Sequence, residues 1–127
     1  MRKVEGDSMT GGDDEIFDDL PRFVPGQLVR HRRYGYRGVV VDFDMRCQAD
    51  DDWYRSNRTQ PDRDQPWYHV LADGSSAVTY AAESSLEDDV ISAPVRHPVV
   101  DRFFEPFDSG AGRYDRNDQP WQGWMQS

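Results

Sequence analysis

Pro25-Gly26-Gln27-Leu28-Val29-Arg30-His31-Arg32-Arg33-Tyr34-Gly35-Tyr36-Arg37-Gly38-Val39-Val40-Val41-Asp42-Phe43-Asp44 sets the architecture of this chain. Pro25-Gly26 marks a turn. Leu28 to His31 fits a first strand, and Arg32 to Tyr36 fits the turn that follows it. Val39-Val40-Val41-Asp42-Phe43 is β-branched and bounded by Gly38 and Asp44, the composition of a second strand. Side chains alternate along a strand, so Val39, Val41 and Phe43 are expected on the core face and Asp42 and Asp44 outside.

The same punctuation continues downstream. Gln65 to Leu71 reads as a third strand, with Trp67, His69 and Leu71 on one face and Tyr68 and Val70 on the other. Asp73-Gly74 supplies hairpin chemistry. Ala77 to Ala81 reads as a fourth strand, Ala82 to Leu86 as one helical turn, and Val90-Ile91 as a short edge segment. Short strands at this spacing predict an all-β fold, a small barrel. Between strands two and three, residues 45–64 show no periodicity and contain Asp50-Asp51-Asp52. They read as a long mobile loop with Trp53-Tyr54 anchoring one end, and loops of this length are often functional. His97 to Phe107 is apolar enough to cover the barrel; an exposed docking segment is the other reading.

Around this core the chain is acidic. Its 127 residues carry a formal net charge of −9, and aromatic residues make up 13%. The length suits one domain, and the aromatics argue against disorder throughout. The expected division is a flexible acidic arm over residues 1–21, a barrel domain over 22–107 and a disordered tail over 108–127. Within the arm, Ile16, Phe17 and Leu20 are the sticky exceptions. Cys47 is the only cysteine, which leaves no intrachain disulfide or multi-cysteine metal site. The N-terminus lacks the apolar region of a signal peptide, and no apolar run approaches the roughly 20 residues of a membrane span. A cytoplasmic location with no membrane partner is the expectation.

Any function must be argued from a surface. Arg30, His31, Arg32, Arg33, Tyr34, Tyr36 and Arg37 are the candidate contact residues for DNA or a protein partner. Arginine binds phosphate bidentately and tyrosine offers a stacking face. The bland alternative is that these arginines neutralise the chain's own acids, such as Asp50 to Asp52 or Glu87-Asp88-Asp89. An acidic chain also attracts phosphate weakly. Trp67 and Tyr68 are candidate interface aromatics, with core packing the competing reading for Trp67. His31, His69 and His97 lack the spacing of a zinc site, no phosphate-binding glycine loop is present, and Cys47 has no adjacent base. No cofactor and no catalytic residue is expected.

Four blocks occur in a specific order: Gly26 to His31, Tyr34 to Asp44, Gln65 to Leu71 and Tyr80 to Leu86. Together, over Phe23 to Leu86, they resemble the heat-shock protein HspQ family, also called the hemimethylated-DNA-binding or YccV-like domain. The resemblance implies a small SH3-like β-barrel without enzymatic activity. It also implies binding of hemimethylated DNA and control of replication-initiator level. It further implies a part in ATP-dependent proteolysis as an adaptor for Lon or Clp proteases, and related domains occur in eukaryotic F-box proteins. Homo-oligomers, trimers among them, are a further implication.

Overall fold

A computed structural model of the chain describes residues 20–122. Its framework is the hairpin of β1 (Leu28–His31) and β2 (Arg37–Asp44), paired through Leu28↔Val39, Val29↔Gly38 and Arg30↔Arg37. β3 (Trp67–Ala72), β4 (Val78–Ala82) and β5 (Leu86–Asp88) complete one antiparallel sheet in the order β4-β3-β2-β1-β5. A 3₁₀ turn, Glu83–Ser85, connects β4 to β5. The fold is the expected all-β one, a small SH3-like barrel. The final edge pairing falls on Leu86–Asp88, and Val90 and Ile91 are exposed.

β2 departs from strict alternation. Val40 pairs with Val70 but Asp42 pairs with His69, so Val41 is one residue too many for its partner strand. Such a bulge shifts the side-chain phase by one. Val39 and Val41 therefore pack with Leu28, Leu71 and Phe104. Phe43 moves to the opposite face, beside Val40, Val29 and Tyr68. The expectation that Phe43 shares a face with Val39 and Val41 is corrected by this one inserted residue. β3 has no such shift: Leu71 and Val70 sit in separate clusters, as alternation requires.

Residues 45–64 are not a structureless loop. A helix, α1 (Asp51–Ser56), lies inside them. Asp50 caps it by accepting from the Trp53 N–H at 2.8 Å, and Asp51 and Asp52 place negative charge at its N-terminus, where the helix dipole favours it. Six residues cannot sustain a helix alone. Trp53 and Tyr54 supply the tertiary contact by packing on Trp67, Tyr80, Cys47 and Ala49. Arg63 closes the segment, donating to the Ala49 carbonyl and lying over the Tyr54 ring.

The barrel also continues past residue 107. Val95, Val100, Phe103 and Phe104 cover one sheet face as expected, the last three on or beside α2 (Val100–Phe103). Tyr114 joins them, 4% exposed, and its hydroxyl accepts from the Val95 N–H at 2.8 Å. Its own N–H donates to the Gly26 carbonyl at 2.9 Å. Gly26 has φ +98°, and a Cβ there would collide with the Tyr114 carbonyl, so glycine is what lets the two segments cross. Arg116 then donates to the carbonyl of the bulged Val41 at 3.0 Å, and Trp121 packs edge-on against Phe103. A disordered tail over 108–127 is thus corrected for residues 108–122: the ordered unit needs Tyr114, Arg116 and Trp121 to finish its core. The arm before Leu20 and residues 123–127 lie outside the described residues.

Candidate functional site

Where the β1–β2 turn approaches β4 and the segment following α1, the surface opens into an aromatic cleft of about 290 Å³. Tyr34 and Tyr36 come from the turn, Trp53 from α1, Pro61 from the segment beyond it, and Tyr80 from β4. A second hollow of about 370 Å³ shares His31, Thr59, Pro61 and Ser85 with the first and adds Arg32 and Arg33. The two form one groove, aromatic at one end and basic at the other. Among the described residues, no Asp or Glu lines either part.

His31 organises the turn. Its ring stacks on Tyr34 at 4.7 Å and Tyr36 at 5.2 Å. Its Nδ1 accepts from the backbone N–H groups of Arg33 and Tyr34, at 3.2 and 3.1 Å. Burial, and then the charge of Arg33, hold the imidazole pKa below its ordinary value, which suits an acceptor role. Tyr36 shares a 2.6 Å hydrogen bond with the Thr79 hydroxyl, tying the turn to β4. Burial pushes the Tyr36 phenol up.

The opposite wall is equally fixed. Tyr80 donates to Asp44 Oδ2 at 2.6 Å and accepts from the Gln48 N–H at 3.0 Å. Burial and that carboxylate raise its phenol pKa well above the ordinary range. Trp53 meets Tyr80 at 5.6 Å and Trp67 at 6.2 Å, both edge to face.

The predicted contact residues separate under this geometry. Tyr34 is 51% exposed, and with Arg32 and Arg33 it forms the rim. The Arg33 guanidinium lies 5.9 Å from the Tyr34 ring centre. Arg32 donates to the Leu86 carbonyl and lies 3.4 Å from Glu87, so the self-neutralising reading holds for it in part. Arg30 is exposed on β1 but lines neither hollow. Arg37 is not a surface residue of this kind. It bonds Asp89 at 3.0 Å and Asp73 at 3.1 Å, and donates to the Ala93 and Pro94 carbonyls, so it is a structural pin.

Trp67 and Tyr68, expected as interface aromatics, are 2% and 0% exposed. Tyr68 accepts from the Phe23 N–H at 3.2 Å and donates to Glu83 at 2.7 Å. Two-sided burial of β3 is the physical reason, because strands and loops cover both faces of this sheet. Asn57, Thr59, Pro61, Val78 and Thr79 belong to the cleft and were not legible as site residues. Only Trp53-Tyr54, large aromatics in a polar run, marked that wall.

A flat apolar group fits between such walls, and an anionic group fits the arginine rim. A cation at that end would meet Arg33, and Arg32 with its charge partly offset by Glu87 at 3.4 Å. Among the described residues no group of three His, Cys, Asp or Glu could hold a metal ion.

Comparison with known proteins places this geometry in a family. The chain is 34% identical over 85 residues to the F-box only protein 21 of Homo sapiens and of Mus musculus, covering 65% of this chain and 13% of each relative. The protein of that name from Pongo abelii is equally similar, with 14% of its length covered. The chain therefore spans about one seventh of these relatives. The family description "Hemimethylated DNA-binding protein YccV like" matches residues 21–111, which takes in the barrel, the groove and the covering segment: the chain belongs to the YccV-like family.

Proposed function

We propose that this protein is a non-enzymatic, cytoplasmic regulator of protein turnover that binds an ATP-dependent protease, of Lon or Clp type, or the substrates of one. The observation that carries this reading is the groove itself. It combines fixed aromatic walls with a short basic rim on a chain of net charge −9. That combination suits a small segment of another protein better than a long polyanion, whose phosphates beyond the rim would meet an acidic surface. The implied link of the family to proteolysis supports the same reading. The test is the rate at which a Lon-type or Clp-type protease degrades several model substrates with and without the purified protein. A changed rate supports the proposal, and unchanged rates for all substrates with both proteases would remove it.

The family description favours a second reading, binding of hemimethylated DNA. Arg32, Arg33 and Tyr34 at the rim would be the contacts. This reading predicts a complex with hemimethylated duplex that exceeds the fully methylated one, weakens with salt, and is lost in the Arg32→Ala, Arg33→Ala double variant. A mobility-shift series with no complex at low salt would dispose of it.

A further inference from the structure

The corner of the β1–β2 turn hangs on one nitrogen. His31 Nδ1 accepts from the Arg33 N–H at 3.2 Å and from the Tyr34 N–H at 3.1 Å. An accepting Nδ1 places the single imidazole proton on Nε2. The base of the turn is held by backbone alone. There the His31 N–H donates to the Tyr36 carbonyl at 2.8 Å, and the Gly35 N–H to the His31 carbonyl at 2.9 Å. The turn thus has two layers, one that cannot titrate and one that can. The titratable layer fixes Arg33 and Tyr34, and the same imidazole lines both hollows of the groove.

From this arrangement we infer that His31 is an acid-sensitive latch: a proton on Nδ1 releases the Arg33–Tyr34 corner and leaves the strand pairing beneath it intact. The imidazolium carries hydrogen on both nitrogens, so no rotation of the ring returns an acceptor to the two amides. Stacking on Tyr34 and Tyr36 favours a cation to some degree. It gives the two amides no new partner.

The surrounding groups set the direction of the switch. Burial opposes charging of the ring, and so does Arg33 from the turn. Arg32 is turned to the Leu86 carbonyl and to Glu87, 3.4 Å away. Across the strand pair His31 meets Leu86, and the 3₁₀ turn contributes Ser84 and Ser85 to the hollow. Glu83, which precedes them, accepts from the Arg22 N–H and the Tyr68 hydroxyl. Thr59, Gln60 and Pro61 carry no charge, and the phenols of Tyr34, Tyr36 and Tyr80 are neutral in acid. The latch is therefore closed at neutral pH and opens on the acid side of 6.5. Tyr34 is the exposed wall of the cleft, and the Arg33 guanidinium lies 5.9 Å from its ring centre. Opening displaces both contacts at once. This deepens the proposed function by giving its groove a regulation, and it rests on the groove being the contact surface.

The experiment is an NMR titration of the full-length chain from about pH 7.5 to 5. The His31 ring and the Arg33 and Tyr34 amides are expected to shift with one common midpoint below 6.5. Hydrogen-exchange protection of those two amides should fall at least tenfold across that midpoint, while the His31 and Gly35 amides keep theirs. His31→Asn offers an oxygen near the Nδ1 position that does not titrate, and should hold both amide shifts constant over the same range. His31→Phe keeps a ring without an acceptor, and at pH 7.5 should show the shifts that the unaltered chain reaches only in acid.

A His31 titration that leaves the two amides unmoved would overturn the inference. So would the same amide transition persisting in His31→Asn, since another group would then be responsible. Loss of protection at Gly35 and along β1 with the same midpoint would replace the latch by general unfolding. The protease assay separates this inference from the reading it rests on. Unaltered degradation rates beside a common His31, Arg33 and Tyr34 midpoint would remove the turnover reading and keep the latch. Altered rates with unmoved amides would do the reverse.

Discussion

Arg37 Nε lies 3.0 Å from Asp89 Oδ2, and the Asp89 side chain is completely buried. The pair joins the start of β2 to the chain just beyond β5. Burial alone would lower the Arg37 pKa, but its bonds to Asp89 and Asp73 outweigh that and raise it. Among the described residues Asp89 Oδ1 has no hydrogen-bond partner, and Arg37 is the ion-pair partner of this buried charge. Replacing Arg37 by Ala should therefore destabilise the fold by about 3–5 kcal/mol. Arg33→Ala, at the exposed rim, should stay within about 0.5 kcal/mol. Denaturant unfolding of the two variants tests the division of these arginines into pin and rim.

Tyr114 offers a second measure of how far the ordered unit extends. Tyr114→Phe removes the bond to the buried Val95 N–H and should cost about 1–3 kcal/mol. Tyr114→Ala also empties the space against Phe104 and Phe107 and should cost about 3–5 kcal/mol. Ending the chain at Phe107 should abolish the cooperative thermal transition, whereas ending it at Gln122 should preserve it. Circular dichroism melts of the four chains check the series.

Two histidines couple stability to pH. Burial holds His69 below its ordinary value of 6.5, although Asp44, 3.5 Å away, pulls the other way. His31 is lowered by burial and then by Arg33. Both are neutral in the folded chain at pH values where the unfolded chain already binds protons. Stability should thus be full above pH 6.5 and fall as the pH drops toward the lowered folded values. Melting temperature measured between about pH 7.5 and 5.5 should decline on acidification before most carboxylates titrate. NMR titration of the imidazoles should give folded pKa values below 6.5 for both.

Trp53 fastens α1 to the barrel, and Cys47 lies buried in the same cluster. Trp53→Ala should release this region without unfolding the sheet. The thiol of Cys47 should then react with an aromatic disulfide reagent at least several-fold faster, while the far-ultraviolet spectrum keeps its strand signature. An unchanged reaction rate would show that Tyr54 and Arg63 suffice to hold the segment.

What the chain reveals in one dimension follows from how local each signal is. The β1–β2 hairpin and the faces of β3 were legible because turn residues and alternation are short-range. The bulge at Val41 was not: Val39, Val40 and Val41 are all apolar, so a one-residue phase shift leaves no trace in the pattern. α1 is too short to show a helical period, although Asp50 followed by two acids was a capping signal that could have announced it. Tyr114 and Trp121 stand as isolated aromatics in a polar run and take their meaning from residues far earlier in the chain. At the groove, the turn residues were readable as a group. Separating Arg37 from Arg32 and Arg33 required knowing where Asp73 and Asp89 fold. The aromatic wall opposite the turn depended on contacts that no local rule supplies.

The crossing of Tyr114 over Gly26, sealed by Arg116 on the Val41 carbonyl, has a consequence for the order of events during synthesis. The strands emerge first, but the apolar face around Leu28, Val39 and Leu71 lacks its last partners until residues near 114–121 leave the ribosome. Long-range closure of this kind is slow relative to local pairing. A nascent chain paused before that point presents an uncovered apolar sheet face, so the segment around Tyr114 and Trp121 times the closing of this core.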